Sequence, residues 1–209
     1  MHELLVFTDY ICPWCYLGRS RVAPLVQRFA LRPRVVHFPL HPSVPAEGIA
    51  LSELFAGRSF DLNAAWARLS AALAAESLPF TPRDQTFRTR EAQELAAWAD
   101  SVGGPPLHDA LFAAVFVDGR NIGNRDVLLD VAVSCGHDRA AAAAALDGRA
   151  GASIVDADHL LARQMGVRSV PTFVIGRQGV AGAQPLAALI ALAEAAGCST
   201  RGADAVPVP

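Results

Sequence analysis

The chain has 209 residues, 52% of them hydrophobic and 18% charged, and a formal net charge of -2. That length and composition allow a substantial buried core and give no basis for electrostatic attraction to nucleic acid or an acidic membrane. All 18 basic residues are arginine, which excludes Schiff-base chemistry and a Walker-type phosphate loop, because each needs a lysine amine at a fixed place.

Met1-His2-Glu3 carries no positive segment, and Asp9 interrupts the apolar run that follows. The N-terminus is therefore expected to be structure and not a targeting signal. No run approaches the roughly 20 apolar residues of a membrane helix, so no membrane partner is expected and a cytoplasmic location is the default. Four cysteines in a chain of this length suit a reducing compartment, where a close pair is more often catalytic or metal-binding than structural.

The first element is a predicted buried strand over Leu4 to Phe7, followed by Cys12-Pro13-Trp14-Cys15 and a helix from about Pro13 to Phe29. Two cysteines three apart can exchange a dithiol for a disulfide. At a helix N-terminus, the free N–H groups and the positive dipole end favour a thiolate at Cys12. Pro13 suits the first helical position because its missing N–H has no partner there. Pro24 is expected to kink the helix, and a strand over Arg34 to Phe38 ends at Pro39, which points to a sheet edge. The opening is thus a βαβ unit.

From about Leu51 to Ala150 strand signals disappear and helical stripes alternate with Gly/Pro breaks. Leu62, Trp66, Leu69 and Leu73 form one stripe; Leu107, Leu111, Phe112, Val115 and Phe116 form another. Asn124 is placed as an N-cap and Gly136 as a C-terminal stop for the helix between them. A helix through Leu160, Leu161 and Met165 ends at Gly166. A strand then begins at Val170-Pro171, with Gly176 to Gly179 as the hairpin turn and Val180 to Gly182 as the return strand. Pro185 starts a last helix to about Ala196, and the tail 198–209 is expected to be disordered.

A βαβ unit with CxxC at its strand-to-helix turn, a long helical insertion and a ββα unit opening with Val-Pro together resemble the thioredoxin superfamily. The inserted helices match its DsbA-like branch. The run from Asp9 to Gly18 looks like the active-site signature of FrnE-type proteins, with further matches at Phe38 to Pro42, Leu111 to Ile122, Gly166 to Phe173 and Gly182-Ala183-Gln184-Pro185. The implied fold is α/β: a thioredoxin-like mixed sheet flanked by helices, carrying a large inserted helical domain. Residues 1–45 and 155–197 would form the discontinuous thioredoxin-like domain, and residues 50–150 the insertion.

The resemblance also implies a thiol–disulfide oxidoreductase acting on protein or small-molecule thiols and disulfides. Cys12 would be the exposed nucleophile and Cys15 the more buried resolving thiol. Pro171 would be a cis-proline beside the disulfide, with the Val170 backbone, Pro13 and Trp14 contacting the substrate; for Trp14 a purely covering role weighs equally. No bound cofactor is expected, and a low-molecular-weight thiol is a candidate co-substrate. Zinc binding is disfavoured because no second close Cys/His pair completes a site, and no metal ligands are assigned. Cys135 and Cys198 read as helix-buried or tail thiols, and His37, His41, His108, His137 and His159 as loop or surface residues. The alternative within the fold is a glutathione-dependent isomerase or kappa-class transferase, related to 2-hydroxychromene-2-carboxylate isomerase. Those enzymes typically carry serine for the first cysteine, so the complete CxxC argues against that reading. A binding protein without turnover is the weakest reading for the same reason.

Overall fold

The apolar N-terminal run forms the central strand of the molecule. A computed structural model describes residues 1–201. In chain order it contains β1 (His2–Thr8), α1 (Pro13–Ser20), α2 (Val22–Arg28) and β2 (Leu31–His37). The insertion follows with β3 (Ile49–Ala50), α3 (Leu51–Leu54), α4 (Leu62–Ala75), β4 (Gln85–Thr86), α5 (Arg90–Ser101), α6 (His108–Phe116), α7 (Arg125–Ser134) and α8 (Arg139–Asp147). Then come α9 (Ala152–Gln164), β5 (Thr172–Ile175), β6 (Gln178–Ala181) and α10 (Leu186–Ala195).

The main sheet has the order β2-β1-β5-β6. β1 runs parallel to β2 and antiparallel to β5, with Phe7 opposite Thr172 and Leu4 opposite Ile175. Side chains on a strand alternate between faces, and the two cores follow that alternation. Leu4, Val6, Phe173 and Ile175 pack with Val22, Leu25 and Phe29 of the α2 segment and with Leu189 and Leu192 of α10. Phe7, Val36 and Val174 instead join the cluster that contains Cys12, Cys15 and the insertion residues Leu95, Leu111, Phe112 and Phe116. The helical insertion therefore covers the sheet face under the CPWC motif.

Several boundaries differ from the sequence reading. The first helix breaks at Arg21, not at Pro24. A proline ring clashes with the carbonyl four residues earlier, which is that of Ser20, so the interruption falls one turn upstream. The hairpin turn is only Gly176-Arg177, with Gly176 at φ 61, and Gln178 and Gly179 already pair with Ile175 and Val174. A two-residue turn entered at positive φ matches the twist of the flanking strands. The β3–β4 pair is too short to leave a pattern in the sequence. Cys198 to Arg201 is ordered: Ala30 N–H donates to Ser199 O at 2.9 Å, and Arg201 N–H donates to Arg28 O at 2.9 Å. The remainder of the expected disordered tail, 202–209, lies outside the described residues. Asn124 caps α7 as expected, accepting from Asp126 N–H at 2.8 Å.

Two devices hold the insertion to the sheet. Arg21 donates to the carbonyls of Ala183 and Gln184 at 2.7 and 2.5 Å and to Glu76 at 2.6 Å, tying the GAQP loop to the end of α4. At the start of α9, a Cβ on Gly151 would fall inside the van der Waals envelope of the Glu94 backbone carbonyl on α5. Buried Asp9 links a third set of elements: it accepts from Leu40 N–H at 2.9 Å, Thr89 Oγ1 at 3.2 Å and Ile11 N–H at 3.4 Å. The end of β1, the loop after β2 and the start of α5 thus meet at one carboxyl group.

The Gly151 contact predicts that Gly151→Ala destabilises the chain by about 2–3 kcal/mol in chemical denaturation, the scale of an overpacked core; an unchanged midpoint would contradict the close approach. Burial pushes Asp9 up to about 6, against the lowering effect of its hydrogen bonds. The folded chain therefore binds an extra proton between the unfolded value near 4 and that value, and stability falls as pH rises through this window. Relative to Asp9→Asn, wild-type stability should drop by about 2 kcal/mol from pH 4 to pH 7, and a pH-independent difference between the two proteins would contradict this environment.

Candidate active site

α1 begins where the sequence places the cysteine pair. Cys12 is the N-cap residue, Pro13 takes the first helical position, and the Cys12 carbonyl accepts from Cys15 N–H at 2.9 Å and Tyr16 N–H at 3.2 Å. Cys12 N–H itself donates to Asp9 O at 3.0 Å, which closes the loop from β1 into the helix. Both cysteines are free thiols.

The pairing of β1 with β5 brings Val170 and Pro171 to the same end of the sheet. The Val170–Pro171 peptide is cis, and the Cys12 thiol donates to Val170 O at 3.5 Å. Gly18 permits the close approach of α1 to this loop, since a Cβ there would lie 3.1 Å from both the Pro171 ring and the Phe173 ring. Thr172 Oγ1 donates to Ser169 O at 2.7 Å and Gly182 N–H to Pro171 O at 2.7 Å, which fix the loop from both ends.

Cys12 is less exposed than the sequence reading supposes: its relative exposure is 4%, against 2% for Cys15. The helix N-terminus is roofed by the Val170 loop, so position in the helix alone does not separate the two sulfurs. Their surroundings do. Burial pushes the Cys15 thiol well above its ordinary range, and the adjacent Cys12 sulfur acts in the same direction, while the Thr8 hydroxyl and the Asp9 backbone N–H oppose it. Trp14 is half-buried against Leu17, Leu69 and Leu73, on the side where α4 meets α1. Tyr16 stacks on Phe116 with ring centroids 5.4 Å apart and donates to Pro79 O at 3.0 Å.

Other residues at the site take roles that their sequence neighbours do not reveal. Arg83, from the segment before β4, donates to Ile11 O at 2.8 Å and to Gln85 O, and its guanidinium lies 5.4 Å from the Phe116 ring centroid. Tyr10, fully buried, has its hydroxyl 2.7 Å from His108 Nδ1 and 3.3 Å from His37 Nε2. His37 Nδ1–H donates to Asp158 at 2.8 Å, and His108 Nε2–H donates to Asp100 at 3.0 Å. His37 and His108 are thus buried, at 2% and 5% exposure, and not the loop or surface residues expected. Burial pushes His37 down, so a neutral ring faces Asp158, and Asp158 stays ionised because this N–H and Arg34 outweigh its own burial. Asp and Tyr partners distant in the sequence supply the hydrogen bonds that burial of these imidazoles requires.

Cys135 stands at the end of α7, and Cys198 packs in the cluster on the opposite sheet face from Cys12. Among the described residues no group of three or more His, Cys, Asp or Glu side chains is arranged to hold a metal ion. Nor is any described helix long and apolar enough to cross a membrane.

Known proteins share this fold. A probable DsbA oxidoreductase from Streptomyces coelicolor superposes with a TM-score of 0.84 at 29% identity, covering 100% of this chain and 93% of its own. The cytosolic disulfide reductase DsbM of Pseudomonas aeruginosa shares the fold at a TM-score of 0.62 and 21% identity, with 85% and 88% of the two chains covered. A 2-hydroxychromene-2-carboxylate isomerase shares it at 0.68 and 19% identity, over 93% and 94%. No curated protein matches the sequence. The family model for the DsbA-like thioredoxin domain matches residues 3–192. With its mixed sheet, its helical insertion and that match over nearly its whole length, the chain belongs to the DsbA-like thioredoxin domain family.

Proposed function

We propose that the protein is a thiol–disulfide oxidoreductase in which Cys12 exchanges with the partner and Cys15 resolves. The observation that carries this reading is the placement of the Cys12 sulfur at a helix N-terminus, 3.5 Å from the Val170 carbonyl beside Pro171, with Cys15 buried one turn behind it. An extended partner segment passing the Val170 backbone would bring its own sulfur in line with Cys12.

In the reducing direction, the Cys12 thiolate attacks one sulfur of the partner disulfide. A Cys12–partner bond forms, the partner S–S bond breaks, and the second partner sulfur leaves with the electron pair. Cys15 then gives up its proton and attacks the Cys12 sulfur, which forms the Cys12–Cys15 disulfide and releases the first partner sulfur as a thiol. The environment that keeps Cys15 protonated delays this second step until the mixed disulfide has formed. The Thr8 hydroxyl and Asp9 N–H stabilise the Cys15 sulfur as the proton leaves. Oxidation of a dithiol partner is the same path in reverse.

The CPWC, Val-Pro and GAQP words favour the FrnE-type members within the family. Partners are protein or small-molecule thiols, and a cytoplasmic setting suits both the sparse cysteine content and the likeness to a cytosolic reductase. DsbM has been solved with glutathione, which supports a low-molecular-weight thiol as co-substrate here. Pro13 and Trp14 complete the contact surface at the rim of the cysteine pair. The likeness to the isomerase is one of fold, and the complete Cys12/Cys15 pair favours disulfide exchange over activation of a bound thiol.

Cys12→Ser should lower disulfide reductase activity by at least about 100-fold, since the attacking sulfur is gone, whereas retained activity in a coupled turnover assay would reject the mechanism. Cys15→Ser should instead accumulate mixed disulfides through Cys12, visible by mass spectrometry under non-reducing conditions; adducts found at Cys135 or Cys198 in their place would assign the exchange elsewhere.

A further inference from the structure

Among the described residues, Arg83 Nε is the buried side-chain polar atom that lacks a hydrogen-bond partner. Such an atom requires a physical reason, because leaving a donor unsatisfied costs more than a typical hydrogen bond returns. Arg83 also makes no ion pair among the described residues. Its Nη groups donate to the carbonyls of Ile11 and Gln85, and its Cζ lies over the Phe116 ring, so the guanidinium is fixed without a carboxylate. Asp9, the buried acid whose charge acts on Arg83, spends its oxygens on Leu40 N–H, Ile11 N–H and Thr89 Oγ1. Ile11, which Arg83 grips, is the residue immediately before Cys12.

We propose that Arg83 is a positioning residue for disulfide exchange: a fixed cation that holds the active-site loop through the Ile11 carbonyl and stabilises negative charge on the Cys12 sulfur. The proposal deepens the oxidoreductase reading and rests on it. A cation with two carbonyl ligands and one unpaired N–H is an incomplete ion pair, and the anion that completes it is formed in the reaction. Burial pushes Arg83 down to about 10, so it keeps its charge at neutral pH, and Cys12 is the first of the two groups that pull it back up.

The charge matters at a definite step. When a dithiol partner is oxidised, its first thiolate attacks Cys12 of the Cys12–Cys15 disulfide and Cys15 departs as thiolate. The partner's second thiolate then attacks the partner sulfur of the mixed disulfide, and Cys12 leaves with the electron pair of the broken bond. Arg83 stabilises that leaving thiolate, and in the reverse direction the same thiolate as nucleophile. It thereby favours the dithiol over the disulfide and raises the reduction potential.

Two readouts test the charge apart from any structural role: the pH–rate profile of Cys12 alkylation by iodoacetamide, followed by mass spectrometry, and the equilibrium with a reference dithiol. Arg83→Gln should slow Cys12 alkylation at pH 7 about tenfold, the effect of losing one charge partner. It should also shift the thiol–disulfide equilibrium about tenfold toward the disulfide, roughly 30 mV lower in potential. Arg83→Lys, which keeps the charge but loses the planar fork, should stay within about threefold of wild type in both. An unchanged Arg83→Gln would overturn the proposal, as would an Arg83→Lys that falls as far as Arg83→Gln. If Arg83→Gln does not fold, Arg83→Lys decides alone: near-wild-type values support the charge, and a tenfold loss overturns it. Alkylation needs no partner protein, so slowed alkylation in a chain that never turns over disulfides would uphold the charge pairing and reject only the exchange reading.

Discussion

The antiparallel pairing of β1 with β5 is the constraint from which the site follows. It sets Phe7 opposite Thr172, so the loop after β1 and the loop before β5 leave the sheet at the same end. Cys12 and Val170, 158 residues apart in the chain, then meet at 3.5 Å. Without that register the cysteine pair is only a helix start. With it, one sulfur faces a carbonyl wall and the other lies beneath, where burial and the adjacent Cys12 sulfur together hold its proton.

The insertion does more than cover a sheet face. It supplies Thr89 to Asp9, Phe116 and Phe112 to Tyr16, and His108 to Tyr10, and the segment between α4 and β4 supplies Arg83 to Ile11. The residues from Asp9 to Tyr16 are therefore held almost one by one by the helical unit. The Tyr10 hydroxyl lies between two imidazoles, each of which donates from its other ring nitrogen to a carboxylate. That polar chain runs from Asp158 to Asp100 through the residue two before Cys12, and it ties the insertion to β2 by hydrogen bonds where the core elsewhere relies on apolar contact.

What was legible in the sequence had local causes. A cysteine pair with proline at the first helical position, a Val-Pro before an apolar run, and Asn124 and Gly136 around a helix are all read from residues within a few positions of one another. The pieces that escaped are those whose partners are remote or whose pattern is masked. α5 buries Gln93 and Glu94 along with its alanines, which blurs the apolar stripe, and each polar side chain joins a partner four residues back to one far away: Gln93 reaches Thr89 and Phe38 O, Glu94 reaches Arg90 and Arg149. His37 and His108 looked like surface residues because Asp158 and Tyr10 stand 121 and 98 residues from them respectively. Arg83 has no motif at all; only the folded chain places a guanidinium beside Ile11. The first helix breaks one turn before Pro24 because the ring's effect acts on the preceding carbonyl.

Disulfide exchange at this site requires Cys12 and Cys15 to form one reversible two-electron couple. A redox-buffer titration of the wild-type chain, with thiols counted by alkylation and mass spectrometry, measures this directly. The expected result is a single two-electron transition in which Cys12 and Cys15 lose their thiols together while Cys135 and Cys198 remain free. Independent oxidation of the two active-site thiols, or a transition that consumes Cys135 or Cys198, would contradict it.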